Sequence, residues 1–366
     1  MRREALPGAP VVVKVGSSSL APGGEGLDDD AIRRVSDQVE ALWKTGRPTI
    51  LVTSGAVAAG VATMDLASRP TDLPGLQAVA AVGQGLLMEK YAAEFGRRGR
   101  KVGQVLLTRD VLANRSQYLN ASETLMRLIR LQAVPIVNEN DTVVVDELKL
   151  GDNDRLAAVV AHLCDAGMLI ILSDIEGLYA EDPRFADDPE LLSAIEHTDA
   201  VLDDLRLRSA AGTLGSGGVA TKVAAARMAA WSGIPTVVAS ATAAGAAVRA
   251  ASGEAVGTWV EPHASGLSAR KLWVAFGLPS LGRITIDAGA VEALTIRGGS
   301  LLSAGIAWVE GEFPAGAAVE VVDAAGTLVG KGVVRLAAAD LEQARGQHSS
   351  IAGGEAIHRD DLVVLR

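Results

Sequence analysis

What most limits the fold of this chain is a repeated unit: a short apolar run that ends in a polar residue, followed by a helical stretch. The runs are Val11-Val12-Val13-Lys14-Val15-Gly16, Thr49-Ile50-Leu51-Val52-Thr53, Val102 to Leu107, Val134-Pro135-Ile136-Val137, Met168-Leu169-Ile170-Ile171-Leu172 and Thr236-Val237-Val238-Ala239-Ser240. They are short, rich in β-branched residues and nearly unbroken in apolar character, as strands buried on both faces are. Helical patterns separate them: residues 28–45, with Ile32, Val35, Val39, Leu42 and Trp43 on one face and Asp28 as a cap, then 76–95, 116–131, 156–161 and 219–231. This alternation predicts an α/β architecture, an open and largely parallel sheet sandwiched by helices. Strand after strand ends in a polar group: Lys14, Ser54, Thr108, Asn138 and Ser173-Asp174. Ligands of open α/β sheets bind beyond the carboxyl ends of the strands, so residues 9–260 are read as one catalytic domain.

Two polar stretches stand at the centre of that domain. Asn138-Glu139-Asn140-Asp141 closes the fourth run, and Gly151-Asp152-Asn153-Asp154 opens the apolar helix that begins at Leu156, with a hairpin expected between them over 142–150. Amides and carboxylates therefore crowd a strand end and a helix start, where free N–H groups and a partial positive charge suit anions. Loop chemistry is the plainer alternative, since Asn, Asp and Gly favour turns and Asp152 suits a helix cap. Lys14 interrupts an all-valine run. A buried ammonium needs an anion, unless the strand lies at an edge and Lys14 faces water. Ser54-Gly55-Ala56 follows the second strand with small residues that let a ligand approach the backbone. Gly83 and Gly85 fall inside a helical stretch, and close packing of another element is expected at both.

The run Gly212-Thr213-Leu214-Gly215-Ser216-Gly217-Gly218 leads into a helix that carries Lys222. Exposed backbone N–H groups, a helix start and an ammonium together suit a phosphate, although a flexible loop before a capped helix has the same composition. The order of a Walker A loop is missing. Phosphoryl transfer needs positive groups around the migrating phosphoryl, a metal-binding acid and a docked acceptor. Lys14 and Lys222 are candidates for the first, with Asp154 orienting both; Asp174 is placed to face a nucleotide or its Mg²⁺. Ser54, Asp141 and Asn153 remain to hold a small acceptor.

Composition removes several other classes. A net charge of −10 disfavours a general nucleic-acid or anionic-membrane binder. A single cysteine, Cys164, allows no intrachain disulfide and fits a reducing cytoplasm. The five histidines do not cluster at metal-ligand spacing, and no metal centre built directly from a protein cluster is expected. No apolar run is long enough to span a bilayer, and the first residues have no apolar core of the signal-peptide kind. Residues 261–280, with Pro262, Gly266, Gly277 and Pro279, are read as a linker. From Leu281 onward short strands punctuated by glycines predict a small β-rich barrel over 281–366.

Several of these pieces resemble the glutamate 5-kinase family of the amino-acid kinase fold: Val13 to Ser18, Val52 to Ala56, Ala81-Val82-Gly83-Gln84, Gly103 to Thr108, Asn138 to Asp141, Gly151 to Asp154, Gly177-Leu178-Tyr179, and Gly217-Gly218 through Thr221-Lys222. They follow the family's order along nearly the whole chain. The part after Leu281 resembles a PUA domain. The resemblance implies ATP-dependent phosphorylation of the γ-carboxylate of L-glutamate, the first step of proline biosynthesis. It assigns the acceptor to Ser54, Asp141 and Asn153. It assigns the nucleotide to Lys14, Ser173, Asp174, Ser216, Gly217, Gly218, Val219, Ala220, Thr221 and Lys222, with Mg²⁺ carried by the ATP. Feedback inhibition by proline and homo-oligomerisation, as a dimer or tetramer, are further implications. Two departures, Ser173 where the family often has Thr and Val219 where it often has Met, bear on nucleotide affinity. Kinases of aspartate, acetylglutamate or carbamate share the fold and are the alternative within it. An RNA-binding protein using the C-terminal part is the alternative outside it, but residues 281–366 hold 7 Lys/Arg against 11 Asp/Glu and lack a basic footprint.

Overall fold

A computed structural model describes residues 2–24, 26–112, 114–143, 153–181, 186–196, 218–264, 266–347 and 355–365. The chain divides into two compact units, Met1–Gly266 and Leu267–Arg366.

The described residues of the first unit form eight strands: β1 (Val11–Val15), β2 (Thr49–Val52), β3 (Lys101–Leu107), β4 (Ala133–Glu139), β5 (Met168–Ser173), β6 (Ala194–Ile195), β7 (Thr236–Ser240) and β8 (Thr258–Val260). Their order in the sheet is β3-β4-β2-β1-β5-β7-β8-β6. The pairs from β3 to β7 are parallel, β7 and β8 are antiparallel, and β6 runs parallel to β8. Every residue of β1, β2 and β5 is buried. Successive side chains point to opposite faces, so helices must cover both. β1 lies between β2 and β5, which rules out an edge position for Lys14. β3 lies at one edge, with three of its seven residues exposed and the other four half-buried. Two elements escape the apolar pattern: β6 and β8 are only two and three residues long, too short to register as periodic runs.

Among the described residues the helices of this unit are α1 (Ser17–Leu20), α2 (Asp29–Lys44), α3 (Ala56–Thr63), α4 (Leu73–Arg97), α5 (Arg115–Arg130), α6 (Asn153–Leu163), α7 (Gly218–Trp231) and α8 (Ala246–Ala251). Asp28 caps α2 as its sequence predicts, accepting from the N–H of Asp30. Asp72 caps α4, which begins at Leu73, three residues before the apolar pattern, with Pro74 in the first turn. α3 and α4 pack closely because two glycines meet. A Cβ on Gly83 would lie 1.9 Å from the carbonyl oxygen of Ala56, and one on Gly60 would lie 1.8 Å from that of Val79. Gly85 differs from the expectation: a Cβ there would meet nothing within 4 Å. Of Gly83 and Gly85, only Gly83 serves the crossing.

The second unit contains a five-stranded sheet in the order β11-β9-β12-β13-β15 and a two-stranded sheet of β10 and β14. These strands are β9 (Gly282–Ile286), β10 (Leu301–Leu302), β11 (Ile306–Glu310), β12 (Ala318–Val322), β13 (Leu328–Val333), β14 (Glu355–Ile357) and β15 (Leu362–Val364). Ile284, Val319, Val321, Val329, Ala356 and Ile357 from both sheets share one apolar core. Two helices, Ala288–Thr295 and Ala338–Ala344, join the strands and were not legible in the glycine-punctuated pattern.

Candidate active site

Asp154 opens the site. It stands in the first turn of α6, 2% exposed, and two lysines reach it from separate elements. Lys14 on β1 places its Nζ 2.5 Å from Oδ1, and Lys222 on α7 places its Nζ 3.4 Å from Oδ2. Thr221 donates its hydroxyl to Oδ2 at 2.8 Å. Lys222 also donates to the carbonyl of Gly218 at 3.1 Å, so its ammonium is drawn back over the start of its own helix. Lys14 is 4% exposed and Lys222 9%. Burial by itself would push the Asp154 carboxyl up. The charges of Lys14 and Lys222, with hydrogen bonds from Lys14 and Thr221, outweigh burial and hold it below the usual carboxylate range. Asp154 is thus a fixed anion that aims two cations, and a poor base. Gly16 keeps the corner open, since a Cβ there would sit 3.3 Å from the Lys14 ammonium.

One residue earlier on α6 the chemistry changes to neutral amides. Asn153, 3% exposed, donates Nδ2 to the carbonyl of Thr53, to Ser54 Oγ at 3.0 Å and to Asn138 Oδ1 at 2.8 Å. The strand ends explain the meeting. The N–H of Thr53 donates to Val137 O at 2.9 Å, so β2 and β4 remain joined up to the point where Ser54 and Asn138 emerge. Gly55 then turns the chain into α3 with φ of +100°, a left-handed conformation that suits glycine, and no side chain caps that helix. Ser54, Gly55, Ala56, Asn138, Asp141 and Asn153 lie along a cavity of about 1040 Å³. Ser17, Ser18 and Arg69 also line it. Burial, with the nearby Glu139 and against Arg69, raises the Asp141 carboxyl to about 6.

All three residues expected to hold an acceptor, Ser54, Asp141 and Asn153, line this one cavity. The three expected around a phosphoryl group, Lys14, Asp154 and Lys222, form one ion-paired corner. Asn153 and Asp154 are neighbours in α6, so the two groups adjoin. Ser173 and Asp174 lie at the end of β5, where the Ser173 hydroxyl donates to Asp174 Oδ1 at 2.9 Å; Ser173 is buried and Asp174 exposed. Gly218, Val219, Ala220 and Thr221 form the first turn of α7, with Gly218 exposed. Ser216 and Gly217 lie outside the described residues, as do Gly151, Asp152 and residues 144–150 of the expected hairpin. The sequence places Asn138 in the polar stretch that closes the fourth run and Gln84 in one piece of the family resemblance, but it attaches a specific role to neither. In the structure Gln84 Oε1 accepts from Asn138 Nδ2 at 2.7 Å.

Residues 9–240 match the amino acid kinase family, and residues 282–352 match the PUA domain. Among curated relatives, the glutamate 5-kinase of Marinomonas sp. (strain MWYL1) is 44% identical over 373 aligned residues, covering 100% of both chains. That of Frankia casuarinae is 46% identical, covering 97% of this chain and 96% of its own. That of Geobacter metallireducens is 42% identical over 97% of each. Among solved structures, aspartate kinase from Synechocystis aligns at 18% identity with a TM-score of 0.47, over 71% of this chain and 41% of that one.

Proposed function

Because this chain belongs to the amino acid kinase family, alongside the glutamate 5-kinases that match it from end to end, we propose that its two adjoining corners are the two halves of a glutamate-phosphorylating site. The reaction is the phosphorylation of glutamate in proline biosynthesis. The acceptor in this proposal is the γ-carboxylate and the donor is ATP. The observation that carries it is the meeting of Lys14 and Lys222, distant in the sequence, on one buried carboxylate beside a cavity lined by Ser54, Asp141 and Asn153.

The roles follow from the chemistry of each corner. Lys14 and Lys222 would balance phosphate charge, with Asp154 aiming both. Thr221 and the first turn of α7, Gly218 to Lys222, would face the phosphates together with Ser216 and Gly217, and Ser173 and Asp174 the rest of the nucleotide. Asp141 supplies the negative charge an α-ammonium needs, and Ser54 and Asn153 supply directional polar groups. A carboxylate acceptor carries no proton at neutral pH, so no general base is required. This agrees with an Asp154 held ionised by its two lysines. Mg²⁺ would be carried by the ATP, whose phosphates would provide most of its oxygens.

Proline as a feedback inhibitor, a dimeric or tetrameric assembly and a cytoplasmic site of action belong to the same proposal, as do the bounds 9–260, 261–280 and 281–366 for the catalytic domain, linker and PUA-like domain. No described helix is long and apolar enough to cross a membrane. The test is ADP release measured with glutamate, aspartate, acetylglutamate and carbamate in parallel. Glutamate should be turned over fastest; turnover of another acid with none on glutamate overturns the proposal.

A further inference from the structure

The amide group beside the cavity has only one consistent set of orientations, and a helix residue outside it completes the set. The backbone N–H of Glu139 can only donate, and it donates to Asn138 Oδ1 at 2.9 Å. That fixes the Asn138 amide, with Nδ2 turned away. The Thr53 carbonyl can only accept, and it takes Asn153 Nδ2. Asn153 must then also present Nδ2 to Asn138 Oδ1, at 2.8 Å. Two consequences follow. Asn153 Oδ1 is left as a buried acceptor with no partner among the described residues. Asn138 Nδ2 is left as a donor in need of an acceptor, and Gln84 Oε1 provides it at 2.7 Å.

Gln84 reaches Asn138 because of where α4 runs. Gly83 lets the helix press against α3 at Ala56 and Gly60, and the next residue points its amide at the end of β4. Seven residues on, close to two helical turns, Tyr91 shares that face. Its hydroxyl lies 2.8 Å from Thr53 Oγ1 at the end of β2. One face of α4 therefore pins both strand ends from which the cavity's polar groups emerge.

We propose that Gln84 is a positioning residue for acceptor binding: by accepting from Asn138 it locks the Asn138 amide, and through it holds Asn153 with Nδ2 inward and Oδ1 left for a donor on the acceptor molecule. Without that acceptor, Asn138 either keeps an unpaired buried donor or rotates its amide. Rotation would set Nδ2 against the N–H of Glu139 and Nδ2 of Asn153, donor against donor. Either outcome loosens Asn153 and leaves the Lys14–Asp154–Lys222 corner in place. The inference rests on the glutamate site proposed above.

Gln84→Leu removes the acceptor at similar volume. Gln84→Glu keeps an oxygen facing Asn138 and replaces Nε2, which has no partner among the described residues. Steady-state kinetics and calorimetric titration with glutamate and with a non-hydrolysable ATP analogue separate the possibilities. Gln84→Leu should raise KM and Kd for glutamate about tenfold, the loss of one part-buried hydrogen bond, with kcat and nucleotide affinity within about twofold. Gln84→Glu should restore most of the glutamate affinity. Should Gln84→Leu fail to fold, Gln84→Asn, whose amide falls one methylene short of Asn138, takes its place with the same expectation. Unchanged glutamate affinity in the leucine variant, equal damage in the leucine and glutamate variants, or a parallel loss of nucleotide affinity each overturns the positioning role. An unmutated chain that neither binds nor phosphorylates glutamate overturns the functional proposal itself, and this inference with it.

Discussion

Lys14, Asp154 and Lys222 are brought together by charge, whereas Asn153, Asn138 and Gln84, one helix position away, are brought together by neutral amides. The ion-paired corner is strong and weakly directional: an ammonium rotates freely and accepts any nearby anion. The amide corner is directional at every link, since each amide has a donor end and an acceptor end. Charge suits a group that must follow a moving phosphoryl. Amides suit a group that must distinguish one small acid from another. The difference implies that damage to the first corner appears in turnover and stability, and damage to the second in recognition.

The largest effect is expected at Asp154. Asp154→Asn leaves two buried ammonium groups facing a neutral side chain, and breaking a buried pair in this way costs about 3–5 kcal/mol. A markedly lower Tm in thermal unfolding, partly recovered on adding MgATP, and a kcat reduced on the order of 10²–10³-fold are expected. A variant as stable as the parent would mean that charge does not hold this corner.

Next comes a pair of variants that sets the corners against each other. Lys222→Ala should lower kcat about 100-fold with KM for glutamate nearly unchanged. Asn153→Ala should do the reverse in larger part, raising KM for glutamate about tenfold while kcat falls less. Steady-state kinetics in both substrates gives the answer, and exchanged signatures would end the division into two corners.

A smaller contrast lies within α4. Gly83→Ala forces a Cβ to within 1.9 Å of the Ala56 carbonyl oxygen and 2.3 Å of the Gly60 nitrogen, an overpacking worth about 1–3 kcal/mol. It should also raise KM for glutamate by displacing Gln84. Gly85→Ala meets open space and should stabilise the helix by about 0.5–1 kcal/mol with no kinetic effect. Denaturant unfolding of both variants measures the difference in sign.

The two corners also differ in how far the sequence reveals them. Lys14 is legible because an ammonium among valines must have an anion, and the long parallel strands are legible because burial on both faces leaves continuous apolar runs. Asp154 and Asn153 announce themselves as a polar cluster opening an apolar helix. Gln84 does not. It precedes Asn138 by 54 residues, and its meaning depends on a helix crossing that two glycines create. The same dependence on tertiary contact explains the opposite fates of Gly83 and Gly85, which look alike in sequence. The short β6 and β8 carry too few residues to show a period, and they take their conformation from the sheet they extend.

The last contrast concerns pH, because the two corners shift their carboxylates in opposite directions. Asp154 sits below the usual range and stays ionised, while Asp141 is raised to about 6 by burial and by Glu139, against Arg69. In the ligand-free protein the raised value means that the folded state holds its proton more tightly than the unfolded chain. The contribution of Asp141 to stability is therefore present below its ordinary value of 3.8 and is lost as pH rises through about 6. Binding an α-ammonium has the opposite sign, since it needs the carboxylate. KM for glutamate should be near its plateau at about pH 8, roughly twofold higher at about pH 6 and roughly tenfold higher at about pH 5, while KM for ATP changes little. Asp141→Asn should raise KM at every pH and flatten that dependence. Glutamate KM measured across this range in the parent chain and in Asp141→Asn decides it: a parent profile as flat as the variant's would remove Asp141 from acceptor recognition and leave the amide group to select the acid by hydrogen bonds alone.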